Sequence, residues 1–504
     1  MYFLKNNDKF RKGLSYSIIL TGILFSSSSL CAQNFEGTIV GSGNGSVISI
    51  SESNKFIMDD REHTHTGRYE IVAGGLSESN DNITTNSITV DNKQTVLNLY
   101  GGRSNTGSVS KNNVLLKGES TILIGAYAGY TSQGSVFDNT LTLQGKVIVS
   151  NSKIRAGYSD SGKVLRNKLI LDNISPLTVT YGGFSGSNLT QGNSIEVKNG
   201  TYLEERAYGG YSASGKVDSN SIVINDTSRA RFLYGGYSAN GSAQGNSVVF
   251  KAKEQTNGLP ISRARSNVNL ISDNGLALTT PPDVDRGTPV DPSLNDKGEN
   301  KYIAPERVND YIRNAEIAIG GASDSGLVTQ NSIDFQSGIV DTLMGGSSTS
   351  GKVIKNSIFL KGGITLGTVY GGFSVKGSTN ENMIEISDGF TSKGLLIGGE
   401  TSKGSTVGNK VIVNGGTVLS DVVGGKNFSS DPNSQNAVFI NGGKVIDVYG
   451  AFNPSNGDIN SNQVVISGGE VSGKVYGGFN GVTFEEHPVD KGVYNNVVKI
   501  VGGT

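Results

Sequence analysis

The sequence consists mainly of one repeat of 25 to 28 residues, and this repeat limits the fold more than any other feature. Each unit reads apolar residue, Tyr-Gly-Gly, aromatic, Ser, two variable residues, Gly, and then Asn-x-apolar-x-apolar, as in residues 207–224 and 233–250. The second residue of the Gly-Gly pair marks 14 units: Gly75, Gly102, Gly129, Gly157, Gly183, Gly210, Gly236, Gly321, Gly346, Gly372, Gly399, Gly425, Ala451 and Gly478. A period of this length is typical of solenoids.

An asparagine recurs in step with this marker. Its positions are Asn86, Asn112, Asn139, Asn167, Asn193, Asn220, Asn246, Asn331, Asn356, Asn382, Asn409, Asn436, Asn462 and Asn496. Two markers with one period indicate units that stack as equivalents. We expect the asparagine amides to form a hydrogen-bonded ladder and the glycines to serve tight corners that need a positive φ.

The segments that follow the asparagines alternate with a period of two, as in 221–224, which predicts strands with one buried side. A second strand runs into Tyr-Gly-Gly, and a third short strand often follows Gly-Gly, as in 415–418. One unit cannot bury its apolar face alone, but stacked units can. The predicted fold is all-β: a parallel β-solenoid of about 14 coils, on the order of 70 Å long at the strand spacing. A β-propeller needs about 40 or more residues per blade and does not fit.

The chain divides into five predicted parts. They are a signal peptide (1–32), an N-terminal cap (33–70), a first solenoid block (71–250), a proline-rich insertion loop (251–310) and a second block (311–504) that is expected to be incomplete at its C-terminal end. The cap would protect the first sheet edge from pairing with other chains.

Residues 1–32 have the pattern of a secretory signal. Basic residues precede a short apolar stretch at 15–25, and small residues allow cleavage after Ala32. Lipidation of Cys31 is the alternative, although Leu30 does not suit it. We expect an exported protein, at the cell surface or outer membrane or extracellular. Its mature part has no cysteine, because Cys31 is the one cysteine of the chain.

The insertion holds six of the ten prolines: Pro260, Pro281, Pro282, Pro289, Pro292 and Pro305. The markers on its two sides, Gly236 and Gly321, are 85 residues apart. This spacing suggests about one extra coil plus the insertion, with the solenoid resuming in line. Insertions in solenoids map to loops on one face, often the binding face, so this segment is the expected place of specific contact.

Charge and composition point away from several functions. The 43 basic and 44 acidic residues balance, which does not favour nucleic-acid binding. His63 and His65 could share a strand face around a metal, but a solvated polar strand explains them as well. With three histidines in the chain, no catalytic residue, metal site or cofactor is predicted.

The aromatic residues directly after the marker are the candidate contact residues. They are Tyr130, Tyr158, Phe184, Tyr211, Tyr237, Phe373, Phe452 and Phe479. They should stack from coil to coil. This ladder would either pack the coils together or form an exposed strip that binds sugar or protein. The exposure of Tyr211 and Tyr237 distinguishes the two.

The export signal, the cysteine-free mature chain and the Tyr-Gly-Gly-Tyr-Ser…Asn-Ser-Ile-x-Ile units over residues 71–504 resemble passenger regions of bacterial autotransporters. The resemblance implies a right-handed parallel β-helix that is displayed at the outer membrane or released, often in adhesion. That family carries a C-terminal outer-membrane barrel, whose pattern is missing from this sequence, so a barrel partner or a missing barrel is expected.

The function expected from the sequence is a structural or adhesive scaffold, not an enzyme, that makes multivalent contact with host or neighbouring cells. Its partners would be a surface protein or glycan, and it could self-associate. The alternative is a carbohydrate-active β-helix enzyme, a lyase or glycosidase, which needs paired carboxylates in a groove.

Overall fold

The computed structural model describes residues 38–504 except 53–54, 59–60, 65–67, 92, 150–152, 175–176, 253–269, 272–276, 279–312, 456 and 482–491. The predicted signal peptide, His65, His487 and most of the insertion therefore lie outside the described residues. The prediction of an all-β parallel solenoid is confirmed: about 13 turns stack, matching the 13 steps between the 14 markers. Among the described residues there are no helices, and so none long and apolar enough to cross a membrane.

Each turn contributes strands to three parallel sheets. The first, which we call the Tyr-Gly-Gly sheet, contains the marker and has 23 strands. They are Thr38–Val40, Arg68–Ala73, Leu76–Ser77, Thr95–Ser104, Thr121–Thr131, Ile148–Val149, Lys153–Ser159, Thr180–Ser185, Tyr202–Ser212, Arg229–Ser238, Ala315–Ser323, Ile339–Ser348, Gly363–Thr365, Val369–Ser374, Phe390–Ser392, Leu396–Thr401, Thr417–Val418, Val422–Asn427, Lys444–Val445, Val448–Asn453, Glu470–Val471, Val475–Tyr476 and Phe479–Asn480.

The second sheet, the dipeptide sheet, has 14 strands of two residues each, which precede the asparagines. They are Ile83–Thr84, Val109–Ser110, Val136–Phe137, Val164–Leu165, Thr190–Gln191, Val217–Asp218, Ala243–Gln244, Val328–Thr329, Val353–Ile354, Thr379–Asn380, Thr406–Val407, Asn433–Ser434, Ile459–Asn460 and Val493–Tyr494.

The third sheet, the aliphatic sheet, follows the asparagines. Its parallel strands are Val47–Glu52, Ser87–Val90, Asn113–Lys117, Thr140–Gln144, Lys168–Asp172, Ser194–Lys198, Ser221–Asp226, Ser247–Ala252, Ser332–Ser337, Ser357–Leu360, Met383–Ile386, Lys410–Val413, Ala437–Ile440, Gln463–Ile466 and Val497–Ile500. Alternate side chains of this sheet, such as Ile222 and Ile224, point inward and are fully buried against apolar residues of the Tyr-Gly-Gly sheet such as Leu233.

The predicted asparagine ladder is present. The side-chain Nδ2 of Asn193 donates to Oδ1 of Asn220 at 2.9 Å, and Asn220 donates in the same way to Asn246 at 3.0 Å. The same bond links every neighbouring pair from Asn86 to Asn496. Each interior oxygen also accepts the backbone N–H of the preceding asparagine, as Asn220 does from Asn193 at 2.9 Å. The ladder therefore satisfies polar groups that would be costly to bury unpaired.

A second polar column, which the sequence did not reveal, uses the serine of the motif. The Ser238 hydroxyl donates to the Gly215 carbonyl of the preceding turn at 2.8 Å and accepts the backbone N–H of Gly241 at 2.9 Å. Ser212 repeats the arrangement one turn earlier, with Asn188 and Gly215 as partners. These hydroxyl hydrogen bonds connect the corner of each turn to the corner of the preceding turn.

The expectation that glycines serve corners with a positive φ is confirmed at positions such as Gly145, Gly416 and Gly443, but it does not hold for the marker pair. Gly209 and Gly210 have no positive φ; they are required because the chain passes too close for a side chain. A Cβ at Gly209 would lie 2.4 Å from the Gly235 carbonyl oxygen, and one at Gly210 would lie 2.3 Å from Cγ of Asn220. Glycine is needed here for space rather than for backbone freedom.

One left-handed position of each turn is the residue before the ladder asparagine, with φ between 52° and 68°. These residues are Thr85, Lys111, Asp138, Arg166, Gly192, Ser219, Gly245, Gln330, Lys355, Glu381, Gly408, Gln435, Ser461 and Asn495. Eleven of the 14 are not glycine, so the fold imposes this conformation on ordinary residues.

Replacing Thr85 by glycine should stabilise the protein. Thr85 is exposed and β-branched, with φ at 59°. The left-handed conformation costs a non-glycine residue about 1–2 kcal/mol, and glycine avoids this cost. Glycine also loses more conformational entropy on folding, which offsets part of the stabilisation. We therefore expect a net increase of about 0.5–1 kcal/mol in the free energy of unfolding. Guanidinium titration measures it. The matched control Thr89→Gly, in the strand Ser87–Val90, should lower stability by about 1 kcal/mol. Equal losses in both variants would contradict the assignment of strain.

The solenoid continues in register across the insertion. Gly236 pairs with Gly321 in the Tyr-Gly-Gly sheet, and Ser247 pairs with Ser332 in the aliphatic sheet. No additional turn lies between these strands, so the expectation of one extra coil was wrong. The 85 residues from Gly236 to Gly321 form a single turn. The additional residues of this turn lie between Ala252 and Arg313. Within the described part of that segment, Leu270–Ile271 pairs antiparallel with Ala277–Leu278.

The described part of residues 38–70 contains a first turn and an antiparallel extension. Thr38–Val40 pairs with the strand Arg68–Ala73, and Val47–Glu52 pairs with Ser87–Val90. Lys55–Met58 then pairs antiparallel with Val47–Glu52, and Arg61–Thr64 pairs antiparallel with Lys55–Met58. These two antiparallel strands cover the first edge of the aliphatic sheet, which is otherwise parallel throughout.

Candidate functional site

The aromatic residues after the marker form a row on the outer side of the Tyr-Gly-Gly sheet. Five rings stack in succession, from Tyr130 through Tyr158, Phe184 and Tyr211 to Tyr237, with centroids 4.9 to 5.5 Å apart and planes within 14° of each other. Phe452 and Phe479 form a separate stacked pair at 5.7 Å. Phe373 stands apart from both stretches and contacts Tyr370 at 5.4 Å. We call this set the second aromatic row.

A first aromatic row, which the sequence analysis did not single out, occupies the position before Gly-Gly. Tyr181, Tyr208 and Tyr234 stack with centroids 5.1 and 4.9 Å apart. The two rows meet edge to face, as Tyr208 meets Tyr211 at 5.4 Å and 76°. Both arrangements are those that aromatic rings prefer, so the rows form a second packed layer outside the sheet.

Exposure divides the eight predicted residues. Tyr211 is 4% exposed, and Tyr237 and Phe373 are 2% exposed, so they pack between turns and offer no surface to a ligand. Tyr130, Tyr158, Phe184, Phe452 and Phe479 are half-buried. Stacked neighbours cover both ring faces of Tyr158 and Phe184, which therefore present mainly ring edges, a poor platform for a sugar ring.

Two arginines are inserted into the rows. Arg155 takes the first-row position between Tyr127 and Tyr181, and its guanidinium carbon lies 4.6 Å from the Tyr158 centroid and 4.5 Å from that of Phe184. Arg103 lies 5.5 Å from Tyr130. Such cation–π contacts strengthen when shielded from water. The sequence could have revealed these cation–π contacts, because both arginines stand at aromatic positions of the repeat.

Tyr100 and Tyr127 of the first row stay protonated at physiological pH. Burial raises the pKa of Tyr100 to about 12, with Arg103 opposing the shift. Burial also raises the pKa of Tyr127, against the effect of Arg155. Their hydroxyls therefore act as neutral hydrogen-bond groups. Tyr237 donates to Asp324 at 2.9 Å.

Other chemistry is sparse in the described ranges. Over them, no group of three or more His, Cys, Asp or Glu side chains could hold a metal ion. His63 lies in the strand Arg61–Thr64. A shallow, open hollow is lined by Lys93, Glu119, Lys146, Val147, Ile148 and Asn173. Lys93 and Glu119 pair across it at 3.2 Å.

Comparison with known proteins leaves the chain without an assigned family. No family model, no curated protein and no solved structure matches it. The autotransporter resemblance therefore rests on the repeat and the leader.

Proposed function

We propose that this chain is an exported, autotransporter-like passenger that acts as a rigid adhesive scaffold for multivalent contact with host or neighbouring cells. The observation that carries the proposal is the register across the insertion. The strands before and after residues 253–312 pair in one continuous register, from Asp226 beside Ala252 to Ala230 beside Ala315. An insertion at this point therefore leaves the stacking of the turns unchanged, as expected for a segment that a rigid rod carries for contact.

The burial of Tyr211 and Tyr237 shifts the proposed contact away from the aromatic rows and towards this segment. Many weak contacts along a rigid rod add up to strong attachment, because after the first contact the others become intramolecular. Partners in this proposal are a surface protein or a glycan, with self-association as a further mode. Secondary contact positions in this proposal are the half-buried rings of Tyr130, Tyr158, Phe184, Phe452 and Phe479.

The test replaces residues 253–312 by one threonine, so that this threonine and Arg313 match the two-residue connection that joins Asp226 to Arg229 in the preceding turn. Arg313 thereby keeps its ion pair with Asp341 at 2.8 Å. Beads coated with the full chain or the variant are scored for attachment to epithelial monolayers, for bead aggregation and for binding to an array of neutral, sialylated and sulfated glycans. We expect the full chain to bind and the variant to lose at least about tenfold in attachment, since each lost 1.4 kcal/mol is one factor of ten.

The variant should keep the far-UV circular dichroism of β-structure and its unfolding midpoint. Equal attachment by both proteins would contradict the assigned contact segment, and no attachment by either would contradict the adhesive function. A parallel incubation with polysaccharides tests the alternative. Release of cleaved sugars would favour a lyase or glycosidase over the scaffold.

A further inference from the structure

Two side chains of opposite charge replace aromatic rings in the second row. Glu400 and Lys426 occupy the ring position in consecutive turns and lie directly opposite each other in the Tyr-Gly-Gly sheet. The Lys426 Nζ is 3.5 Å from Oε2 of Glu400. The Lys426 side chain is 14% exposed and the Glu400 side chain is 3% exposed. The amine also lies 4.8 Å from the Phe428 ring, so the pair sits in a largely dry, aromatic setting.

This pair is poorly stabilised as an ion pair. Taking both charges out of water is costly, and only good geometry with further hydrogen bonds offsets the cost. A charge-assisted bond is normally about 2.7–2.9 Å long, shorter than the distance seen here. Within the described part of the chain, Oε2 of Glu400 has no hydrogen-bond partner of good geometry. Burial raises the pKa of Glu400, against the lowering effect of Lys426. The protonated, neutral form of the Glu400 carboxyl group is thus favoured.

We propose that Glu400 and Lys426 condense to an amide that cross-links adjacent turns of the solenoid. The lysine first passes a proton to the carboxylate, which leaves a neutral amine and a neutral acid. The Nζ lone pair then attacks the carboxyl carbon, an N–C bond forms, and one carboxyl oxygen leaves as water with a second proton from the nitrogen. Nothing is oxidised or reduced, and no further reactant is needed.

Proximity and dryness favour this step. Groups held in contact react as if present at about 10⁵–10⁸ M, and Lys426 Nζ lies 3.5 Å from an oxygen bonded to the carbon that it would attack. The amide also removes two largely buried charges. Burial raises the pKa of the Tyr370 phenol, and the charge of Glu400 adds to the shift, so the carboxyl group faces a neutral, buried neighbour.

The experiment is mass spectrometry of the purified full chain. The intact mass should be lower than the sequence mass by one water. Trypsin should fail to cut after Lys426 and should release one branched peptide that joins 394–403 to 411–444. The Lys426→Arg chain should show neither the water loss nor the branch. If that variant does not fold, the mass and the peptide pattern of the wild-type chain still test the proposal.

The molecule contains a matched control pair. Lys444 and Glu470 also lie opposite each other in the same sheet and are closer, at 2.9 Å, but their side chains are 68% and 49% exposed. We expect this hydrated pair to stay unlinked. Free cleavage after Lys426, or links at both pairs, would overturn the proposal. The result is independent of adhesion, so it succeeds or fails separately from the proposed function.

Discussion

Asn220→Ala should lower the free energy of unfolding by about 3–5 kcal/mol, since each buried polar group left unpaired costs about 1–3 kcal/mol. Asn220 is fully buried and accepts both the side-chain amide and the backbone N–H of Asn193. It also donates to the carbonyls of Thr190 and Asp218 at 3.1 and 3.0 Å. Truncation therefore leaves donors of one turn and acceptors of another without partners.

Guanidinium unfolding and amide exchange over the turns around Asn193 and Asn246 measure this effect. Asn240→Ala is the matched control. Asn240 lies exposed in a turn and makes one long contact of 3.4 Å, so its loss should change stability by less than about 0.5 kcal/mol. A loss below about 1 kcal/mol for Asn220→Ala would show that the ladder bonds contribute little beyond solvation.

Gly210→Ala should cost about 3 kcal/mol or more, at the upper end of the usual range for overpacking. The new Cβ would lie 2.3 to 2.6 Å from three side-chain atoms of Asn220, and that amide is held by its ladder bonds and cannot move aside. Gly481→Ala is the control, because its Cβ would meet nothing closer than 3.4 Å. It should be nearly neutral.

A double-mutant cycle tests whether the cost of Gly210→Ala comes from the clash with Asn220. In the Asn220→Ala background the space opposite Gly210 is empty, so Gly210→Ala should cost at least about 1 kcal/mol less there than in the native chain. Strictly additive effects would mean that the glycine is needed for some other reason, such as its neighbours in the strand.

The sequence predicted the stacking well because two independent markers share one period, and only superposed turns bring Asn193, Asn220 and Asn246 into contact. Its explanation of glycine by a positive φ holds at corners such as Gly416, but not at the marker pair Gly209 and Gly210. A close approach between turns depends on the packed backbone, whereas a positive φ is a local property that sequence reasoning assigns to glycine by default. The left-handed residue escaped notice because threonine, lysine, aspartate and arginine all occupy it, and the surrounding turns impose the conformation whatever the side chain.

The candidate site was predictable in part. The second row follows from the repeat, but its burial depends on the first row, whose tyrosines read as part of the Tyr-Gly-Gly signature. Arg155, Glu400 and Lys426 could have been found by asking which units depart from the aromatic pattern, since opposite charges at one repeat position in consecutive units must meet. Adhesion, export and partners stay predictions, because no described residue tests them.

The asparagine ladder also gives the rod a polarity. Every interior amide points its nitrogen toward the following turn and its oxygen toward the preceding one. Parallel amide dipoles add up, as peptide dipoles do in a helix, and hydrogen bonds in series polarise one another. The column of amides therefore has a positive end toward Asn496 and a negative end toward Asn86, although the chain as a whole is nearly neutral.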